Sequence, residues 1–466
     1  MTGTRTETDS LGTIDIPPNA AWGTQTQRAI DNFPITGVSI SHYPELVVGL
    51  AQVKKACALA NNELNGLPDK KAETIIAVCD EIIGGAHHEQ FVVDVMQGGA
   101  GTSTNMNANE VIANLCLSKL GHGFGDYAHL HPNDDVNRAQ STNDVYPTAI
   151  RLAVLARIKP LIDIMHGLTS SFDAKGAAFD HITKVGRTQL QDAVPMSLGA
   201  EFRGFATTIR EDIQRLSDLS QLLTEVNLGG TAIGTRINAP ANFGETAVAH
   251  LRRITGEPLG VASDLIEASS DLGAFVMFSS ALKRVAIKLS KICNDLRLMS
   301  SGPRAGIGEI MLPPVQAGSS IMPGKVNPVI PEVVNQVCYQ AIGNDLTVTM
   351  AAEAGQFQLN AMEPVIIHKV LETMGSLTNA MTVLRTRCVD GIVADEARCK
   401  SLLENSLVHV TSLAPVIGYE AATKLAKYAQ AHGLSLVAAA DSALAEVDAQ
   451  RAKDQLTKLT EGSAHG

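Results

Sequence analysis

Apolar residues recur along several long stretches of the chain at alternating spacings of four and three. Two of these stretches run from Val154 to Leu168 and from Leu282 to Met299. A repeat of about 3.5 residues lines one side of a helix with apolar side chains, and such helices pack at shallow angles in bundles. Ala286 and Ile287 add apolar surface away from that side, which favours a bundle over a two-stranded coiled coil.

The pattern divides the chain into three predicted domains of a mostly α-helical protein. Residues 1–142 form a mixed, mostly helical N-terminal domain, residues 143–397 hold the long helices, and residues 398–466 form a small helical C-terminal domain. A chain of 466 residues is longer than one hydrophobic core usually supports. Because one subunit could hardly cover helices that are apolar on several sides, we expect an oligomer whose core combines helices of different subunits.

Composition narrows the class of protein further. Hydrophobic residues make up 45% of the chain, which allows a large core and excludes a disordered protein. The formal net charge of −11 and the lack of a basic run argue against a nucleic-acid partner. The sequence has no run of about 18 apolar residues, so no membrane span is expected. Its polar N-terminus does not resemble a secretory signal.

Cysteine and histidine usage bears on location and on metal binding. The seven cysteines include no C-x-x-C pair, which favours buried, reduced thiols in a cytoplasmic protein over disulfides or zinc ligands. The histidines, among them His122 and His129, show no tight ligand spacing apart from His87 and His88. Adjacent rings would compete with each other on a helix, so the sequence predicts no metal site.

Four segments are poor in bulky apolar residues and rich in hydroxyls, amides and glycine. They are Gly98–Asn109, His131–Asp144, Gly186–Asp192 and Gly318–Pro328. Any one of them alone is most typical of a loop or a helix cap. A chemical role therefore needs a more specific pattern than composition.

The last segment can be compared with known catalytic loops. A phosphate-binding loop has four residues between its glycines and Ser or Thr after Lys, whereas here five residues separate Gly318 from Gly324 and Val326 follows Lys325. A Ser-x-x-Lys motif fails as well, because the loop serines precede Lys325 by six and five residues. What remains is a loop with Gly318 and Gly324 as candidate hinges, which suits a mobile lid that brings a base and an anion-binding cation to a small acid.

The segment Gly318–Pro328, GSSIMPGKVNP, resembles the signature loop of the fumarase/aspartase superfamily nearly residue for residue. The other three polar segments are similar to that family's substrate-site segments and occur in the same order, so the resemblance covers essentially the whole chain. It implies a three-domain, mostly helical subunit in a homotetramer whose central helices form one large bundle. It also implies active sites that each combine residues from three subunits.

Carried over position by position, the resemblance implies a catalytic pair on the signature loop. Ser319 would be the base and Lys325 its charged partner, and Ser320, Lys325 and Asn327 would hold a substrate carboxylate. Further substrate-binding positions fall on Thr102, Ser141, Thr142, Asn143 and Thr188, with supporting roles for Glu332 and His131. The substrate would be a small dicarboxylate. No cofactor would be required, and activation by a divalent cation is left open.

Gln189 distinguishes between members of the superfamily. Class II fumarases are expected to carry Gly-Arg-Thr-His where this chain reads Gly-Arg-Thr-Gln, and the run GRTQLQDAVPMSLG is similar to that of the ammonia-lyases. Expelling hydroxide from malate needs a general acid, whereas the ammonium of aspartate already carries its proton. Because glutamine cannot donate a catalytic proton, Gln189 favours a carboxylate-binding role and elimination of ammonia from L-aspartate to give fumarate.

The predicted mechanism begins with a Ser319 alkoxide that removes a proton from Cβ of L-aspartate. The carbanion delocalises into the β-carboxylate as a doubly charged aci-form, which Lys325, Asn327 and backbone N–H groups stabilise. Three alternatives stay open: a class II fumarase in the same fold, a superfamily lyase for a larger amine, and a non-catalytic helical scaffold. The presence of both Ser319 and Lys325 disfavours the scaffold.

Overall fold

Helices dominate the structure, a computed structural model that describes residues 4–461. The α-helices are Thr24–Asn32 (α1), Pro44–Glu63 (α2), Asp69–Ile83 (α3), Thr102–Lys119 (α4), Thr142–Ala178 (α5), Leu198–Ser220 (α6), Phe243–Thr255 (α7), Gly273–Met299 (α8), Val329–Glu353 (α9), Glu363–Arg387 (α10), Glu396–Asn405 (α11), Val410–Ile417 (α12), Tyr419–His432 (α13), Leu436–Ala443 (α14) and Glu446–Glu461 (α15). The prediction of a mostly α-helical fold is confirmed.

The remaining regular structure is short. Within residues 4–461 the strands are Arg5–Asp9 (β1), Gly12–Ile16 (β2), Thr183–Thr188 (β3), Gln191–Ser197 (β4), Glu225–Val226 (β5), Gly260–Val261 (β6), Ile310–Met311 (β7) and Val393–Ala394 (β8). They pair in sequence order into two-stranded sheets, antiparallel except for β5 with β6. The short helical turns are Ile40–His42, His88–Gln90, Gln221–Leu223, Glu267–Ser269 and Val389–Gly391, with a π-helical turn at Pro132–Val136.

The chain divides into two compact units, each combining three separated stretches of sequence. The first unit contains Met1–Ile162, Gln214–Ala286 and Tyr339–Leu377, and the second contains Asp163–Ile213, Ile287–Cys338 and Thr378–Gly466. The three domains expected from the sequence are contiguous stretches, and their boundaries at 142 and 397 stay a prediction.

In the first unit, α2 packs against α3 and α7. Pro44 begins α2, where its missing N–H leaves no intrahelical hydrogen bond unmade. Leu50, Val53 and Cys57, spaced three and four apart, are completely buried. The same helix carries Lys54, a buried cation whose partners lie in the segment that precedes α5.

A buried carboxylate fixes the start of α1 in the same unit. Glu110, on α4, accepts hydrogen bonds from the backbone N–H groups of Gly23, Gln25 and Thr26 at 2.9, 2.9 and 3.1 Å. These are among the N–H groups that a helix start leaves without intrahelical partners, and the positive end of the helix dipole favours a negative group there. Glu110 therefore ties the N-terminal segment to α4.

Two apolar clusters lie in the second unit beside the small cluster of Val185, Leu403 and Val408. Phe172 of α5 and Phe179, which directly follows α5, pack against Phe202 and Phe205 of α6, with ring centroids 5.4–6.4 Å apart. The helices α12–α15 bury a separate, aliphatic core against one another. The aromatic cluster stabilises the part of α5 from which the β3–β4 hairpin emerges.

Two further expectations concern membrane-spanning helices and the cysteine side chains. Among residues 4–461, no helix is both long enough and apolar enough to cross a lipid bilayer. All seven cysteines are buried and free. The prediction that the cysteine side chains are buried is confirmed.

Candidate active site

The start of α4 presents the first predicted binding residue. Gly101 precedes the helix with φ +85°, and a Cβ at this position would lie 2.4 Å from the ring of Tyr146, so only glycine fits. Thr102 then begins α4, and its hydroxyl donates to the carbonyl of Gly99 at 2.7 Å. The close approach of Gly101 to Tyr146 fixes the start of α4 against α5.

Asn105 connects the start of α4 with the start of α5. Its Nδ2 donates to Oγ1 of Thr142 at 3.1 Å and to Oδ1 of Asn137 at 3.2 Å. Lys54 donates to the same Asn137 oxygen at 2.8 Å and to Oε1 of Gln140 at 2.9 Å. Burial lowers the pKa of Lys54 to about 8. The structure thus joins two of the predicted polar segments through buried side chains that no sequence motif marks.

Asp144 joins a further segment to the same place. This buried carboxylate accepts from the backbone N–H groups of Ser141, Gly229 and Thr231 at 3.0, 3.0 and 2.9 Å. Burial raises the pKa of Asp144 to about 6, although the three N–H donors act in the opposite direction. The segment 227–232 is therefore a neighbour of the predicted residues 141–143.

Asn143 makes two contacts with that segment. Its side-chain amide donates to the carbonyl of Ala232 at 2.8 Å, and its own carbonyl accepts from Nδ2 of Asn227 at 2.9 Å. The hydroxyl of Ser141 accepts from the N–H of Asn143 at 3.2 Å. These contacts hold residues 141–143 at the N-terminus of α5, where the helix dipole favours an anion.

His131 has a local role in the structure. Its Nδ1 accepts from the backbone N–H groups of Asn133 and Asp134 at 3.1 and 3.2 Å, which caps the π-helical turn Pro132–Val136. The ring thus orders the segment that leads to Ser141. Its predicted supporting role in a substrate site stays a prediction.

In the second unit, Thr188 and Gln189 lie at the tip of the β3–β4 hairpin. Thr188 pairs with Gln191, which leaves Gln189 and Leu190 as a two-residue turn, and both have positive φ, +53° and +62°. Such turns match the twist of a hairpin but normally take Asn or Gly. A Gln-Leu turn is a strained choice, and strained exposed turns are typical of functional positions.

A buried ion-pair cluster anchors the hairpin. The carboxylate of Glu309 is completely buried and lies 2.9 Å from Nζ of Lys184 and 2.7 Å from Nη1 of Arg187. Lys184 also pairs with Glu201. Burial lowers the pKa of Lys184, but Glu201 and Glu309 outweigh that effect and raise it. Glu309 therefore fixes both ends of the strand that ends in Thr188.

Two hydrogen bonds connect the two ends of the signature loop. The N–H of Gly318 donates to the carbonyl of Lys325 at 2.9 Å, and Nδ2 of Asn327 donates to the carbonyl of Gly318 at 2.5 Å. A Cβ on Gly318 would lie 2.3 Å from the Lys325 oxygen, so glycine is required here. Between these contacts, Ser320 and Lys325 are exposed. Asn327 therefore holds the loop as well as being a predicted carboxylate ligand.

Two backbone donors point at the hydroxyl of Ser319. Its Oγ accepts from the N–H groups of Ile321 and Met322 at 3.1 and 3.0 Å. Hydrogen bonds to an oxygen lower its pKa when they favour the charged form. A hydroxyl that accepts from the N–H groups two and three residues later also forms an ordinary local turn, so the predicted role of Ser319 as the base stays a prediction.

Glu332 lies in the first turn of α9, which follows the loop. Its carboxylate is 4.0 Å from the guanidinium of Arg297, and both side chains are 40% exposed. Its predicted supporting role stays a prediction.

The predicted site residues are divided between the two units. The first unit holds Thr102, His131, Ser141, Thr142 and Asn143, and the second holds Thr188, Gln189, Ser319, Ser320, Lys325, Asn327 and Glu332. Within the first unit, hydrogen bonds bring residues 102–105 and 137–144 together. Three residues that hold these segments in place were not predicted from the sequence: Lys54, Asp144 and Glu309. The sequence feature that could have identified them is a charged residue within a stretch of apolar or small residues.

A family model described as lyase matches residues 12–343. The chain belongs to this lyase family. Two curated relatives of this lyase are aspartate ammonia-lyases. That of Pseudomonas fluorescens is 61% identical over 430 residues, covering 92% of this chain and 90% of the relative. That of Escherichia coli (strain K12) is 55% identical over 416 residues, covering 89% and 87%.

Solved structures show the same fold. A fumarate lyase:delta crystallin from Brucella melitensis bound to cobalt is 57% identical, covers 98% of this lyase and 99% of its own chain, and has a TM-score of 0.94. A class II fumarase from Schistosoma mansoni is 31% identical with the same coverage and a TM-score of 0.91. The resemblance to the fumarase/aspartase superfamily is confirmed.

The Glu309 cluster gives the first prediction. Glu309→Gln should lower the free energy of unfolding by about 3 kcal/mol, because Lys184 and Arg187 lose their common buried counter-charge. The measurement is urea-induced unfolding of the purified lyase.

The matched control is Glu404→Gln in the same unit, where Glu404 lies 4.0 Å from Lys400 in an exposed pair. Exposed pairs contribute about 1 kcal/mol or less. Equal losses in the two variants would show that Glu309 does not anchor the hairpin.

Proposed function

We propose that this lyase is an aspartate ammonia-lyase, which converts L-aspartate reversibly to fumarate and ammonia. Curated relatives that bear this name are 55–61% identical over most of the chain. The enzyme is thus a carbon–nitrogen lyase. The observation on the molecule itself that carries the proposal is the pair of backbone donors at Ser319.

Ser319 is the proposed base. The N–H groups of Ile321 and Met322 stabilise negative charge on its Oγ, and the alkoxide removes a proton from Cβ of the substrate. The electron pair left on Cβ moves into the β-carboxylate as the aci-form, then forms the double bond as the C–N bond breaks. Charge that is greatest near the transition state is stabilised by the exposed ammonium of Lys325 on the same loop.

Gln189 supports ammonia as the leaving group. When the C–N bond breaks, its electron pair goes to the ammonium nitrogen, which leaves as neutral ammonia, so no acidic side chain is needed at this position. Gln189 lies exposed at the hairpin tip next to Thr188. Its amide can donate to a carboxylate oxygen, which is the role we assign to it.

The starts of α4 and α5 support carboxylate binding. Thr102 and Thr142 are the first residues of the two helices, and Asn105 links the helix starts directly. Two helix N-termini held side by side favour an anion. We assign the binding of one substrate carboxylate to Thr102 and residues 141–143, and that of the other to Thr188, Ser320, Lys325 and Asn327.

A homotetramer is part of the proposal. Large apolar side chains of α8 and α9 remain exposed in a single chain: Met277, Ile287, Leu298, Val333, Tyr339, Leu346 and Met350 are 41–65% exposed. Apolar surface of this extent on long helices is typical of an interface between subunits. We propose a cytoplasmic tetramer whose central helices form one bundle and whose active sites each combine residues from three subunits.

Class II fumarase is the second candidate, because one solved relative of the same fold bears that name. Purified protein should form fumarate from L-aspartate and release one ammonia per fumarate, with negligible fumarate from L-malate. Fumarate is measured by its ultraviolet absorbance and ammonia by a coupled assay.

Turnover of malate alone would identify a fumarase. Turnover of neither substrate by a correctly folded protein would favour the scaffold or a lyase for a larger amine.

The role of Ser319 gives a separate prediction. Ser319→Ala should lower kcat for aspartate by about 10²–10⁴-fold, the contribution typical of a general base, while a substrate analogue still binds. Steady-state kinetics and calorimetric titration with the analogue measure the two effects.

Ser320→Ala is the matched comparison on the same loop. It should raise KM with a much smaller change in kcat, because Ser320 is assigned to binding. A near-normal kcat in the Ser319→Ala variant would overturn the assignment of the base.

A further inference from the structure

Two histidines and a carboxylate come together in the segment that follows α4. Nδ1 of His122 and Nε2 of His129 each lie 3.6 Å from Oδ2 of Asp126, and the three ligand atoms all lie within 4.8 Å of one another. The two imidazoles are stacked, with centroids 3.7 Å apart and planes inclined by 12°. The sequence predicted no metal site here, because these two histidines lack the tight spacing of a ligand motif.

The distances exceed hydrogen-bond range and are compatible with ligands around an ion. A separation of 3.6 Å is longer than an N–H···O hydrogen bond. Two ligand atoms bound tetrahedrally to one ion at about 2.1 Å are about 3.4 Å apart. The observed spacing from Asp126 to each ring is therefore close to the edge of such a coordination shell.

The backbone holds these groups in place without an ion. The N–H of His122 donates to the carbonyl of Leu117 at 2.9 Å, and the N–H of His129 donates to that of Asp126 at 3.1 Å. Gly125, next to Asp126, donates to Oδ1 of the buried Asn114 at 2.8 Å. Because the segment is already ordered, little conformational entropy is lost when a ligand binds.

We propose that His122, Asp126 and His129 bind one borderline transition-metal ion of the class of Zn²⁺, Co²⁺ or Ni²⁺, with water completing the shell. Two imidazoles and one carboxylate suit these ions, whereas Mg²⁺ prefers oxygen ligands. Each ring has to tilt about its Cβ–Cγ bond to point at a common ion, and that torsion is soft.

A bound ion would link His122, which follows α4, to His129, which precedes the π-helical turn. His129 lies two residues before His131, which caps that turn. An ion at this place stabilises the folded segment, because it binds the folded state and not the unfolded one. The site does not depend on the proposed reaction, so a failure of either proposal leaves the other standing.

The test uses the full-length protein without a histidine tag. Titration with CoCl2 at about pH 7.5, chosen because metal binding competes with protons for the ligands, should give one ion per chain by calorimetry and by the visible absorption of bound Co²⁺. His129→Ala and Asp126→Asn should each weaken binding by at least tenfold, since even loss of an outer-shell partner costs about 10–100-fold. An excess of MgCl2 should not displace the cobalt.

His432→Ala is the matched control, because His432 is also an exposed ring stacked on a neighbour, Tyr428, in a different part of the chain. It should leave cobalt binding unchanged. Circular dichroism verifies that all variants fold. The proposal is overturned if His129→Ala and Asp126→Asn bind cobalt like the unaltered protein, or if an excess of Mg²⁺ displaces the cobalt.

Discussion

Buried carboxylates that accept hydrogen bonds from distant segments hold the polar parts of this lyase on its helices. Glu110 fixes the start of α1, Asp144 fixes the segment 227–232, and Glu309 fixes the β3–β4 hairpin through Lys184 and Arg187. Each unpaired buried N–H costs about 1–3 kcal/mol. Without these acceptors the irregular segments would lose the hydrogen bonds that stabilise a single conformation.

The signature loop follows a different principle. It is exposed, and it is closed by bonds within itself at Gly318, Lys325 and Asn327. The donors to Ser319 come from the next residues of the same loop. The proposed base and the groups that activate it therefore stay together if the loop moves as a lid. Oγ of Ser319 would keep its two N–H donors during such a movement.

The sequence predicted the helices and the signature loop better than the buried carboxylates that hold the polar segments in place. The spacing from Leu282 to Met299 lies within the observed α8, and the ammonia-lyase names of the relatives agree with the prediction drawn from Gln189. Asp144 and Glu309 were missed because their partners lie 85 and 122 residues away. Periodicity and local motifs report neighbours along the chain, whereas these contacts exist only after folding.

We propose that each site combines Ser319 of one subunit with Asn143 of another. Ser319 and Asn143 lie in different compact units, so Ser319→Ala and Asn143→Ala impair separate parts of the site. The decisive measurement is the aspartate-dependent fumarate formation of an equal mixture of the two variants, unfolded and refolded together. Random mixing leaves about a quarter of shared sites with both residues intact, so the account predicts recovery towards that level. A mixture no more active than the two variants refolded separately would contradict it.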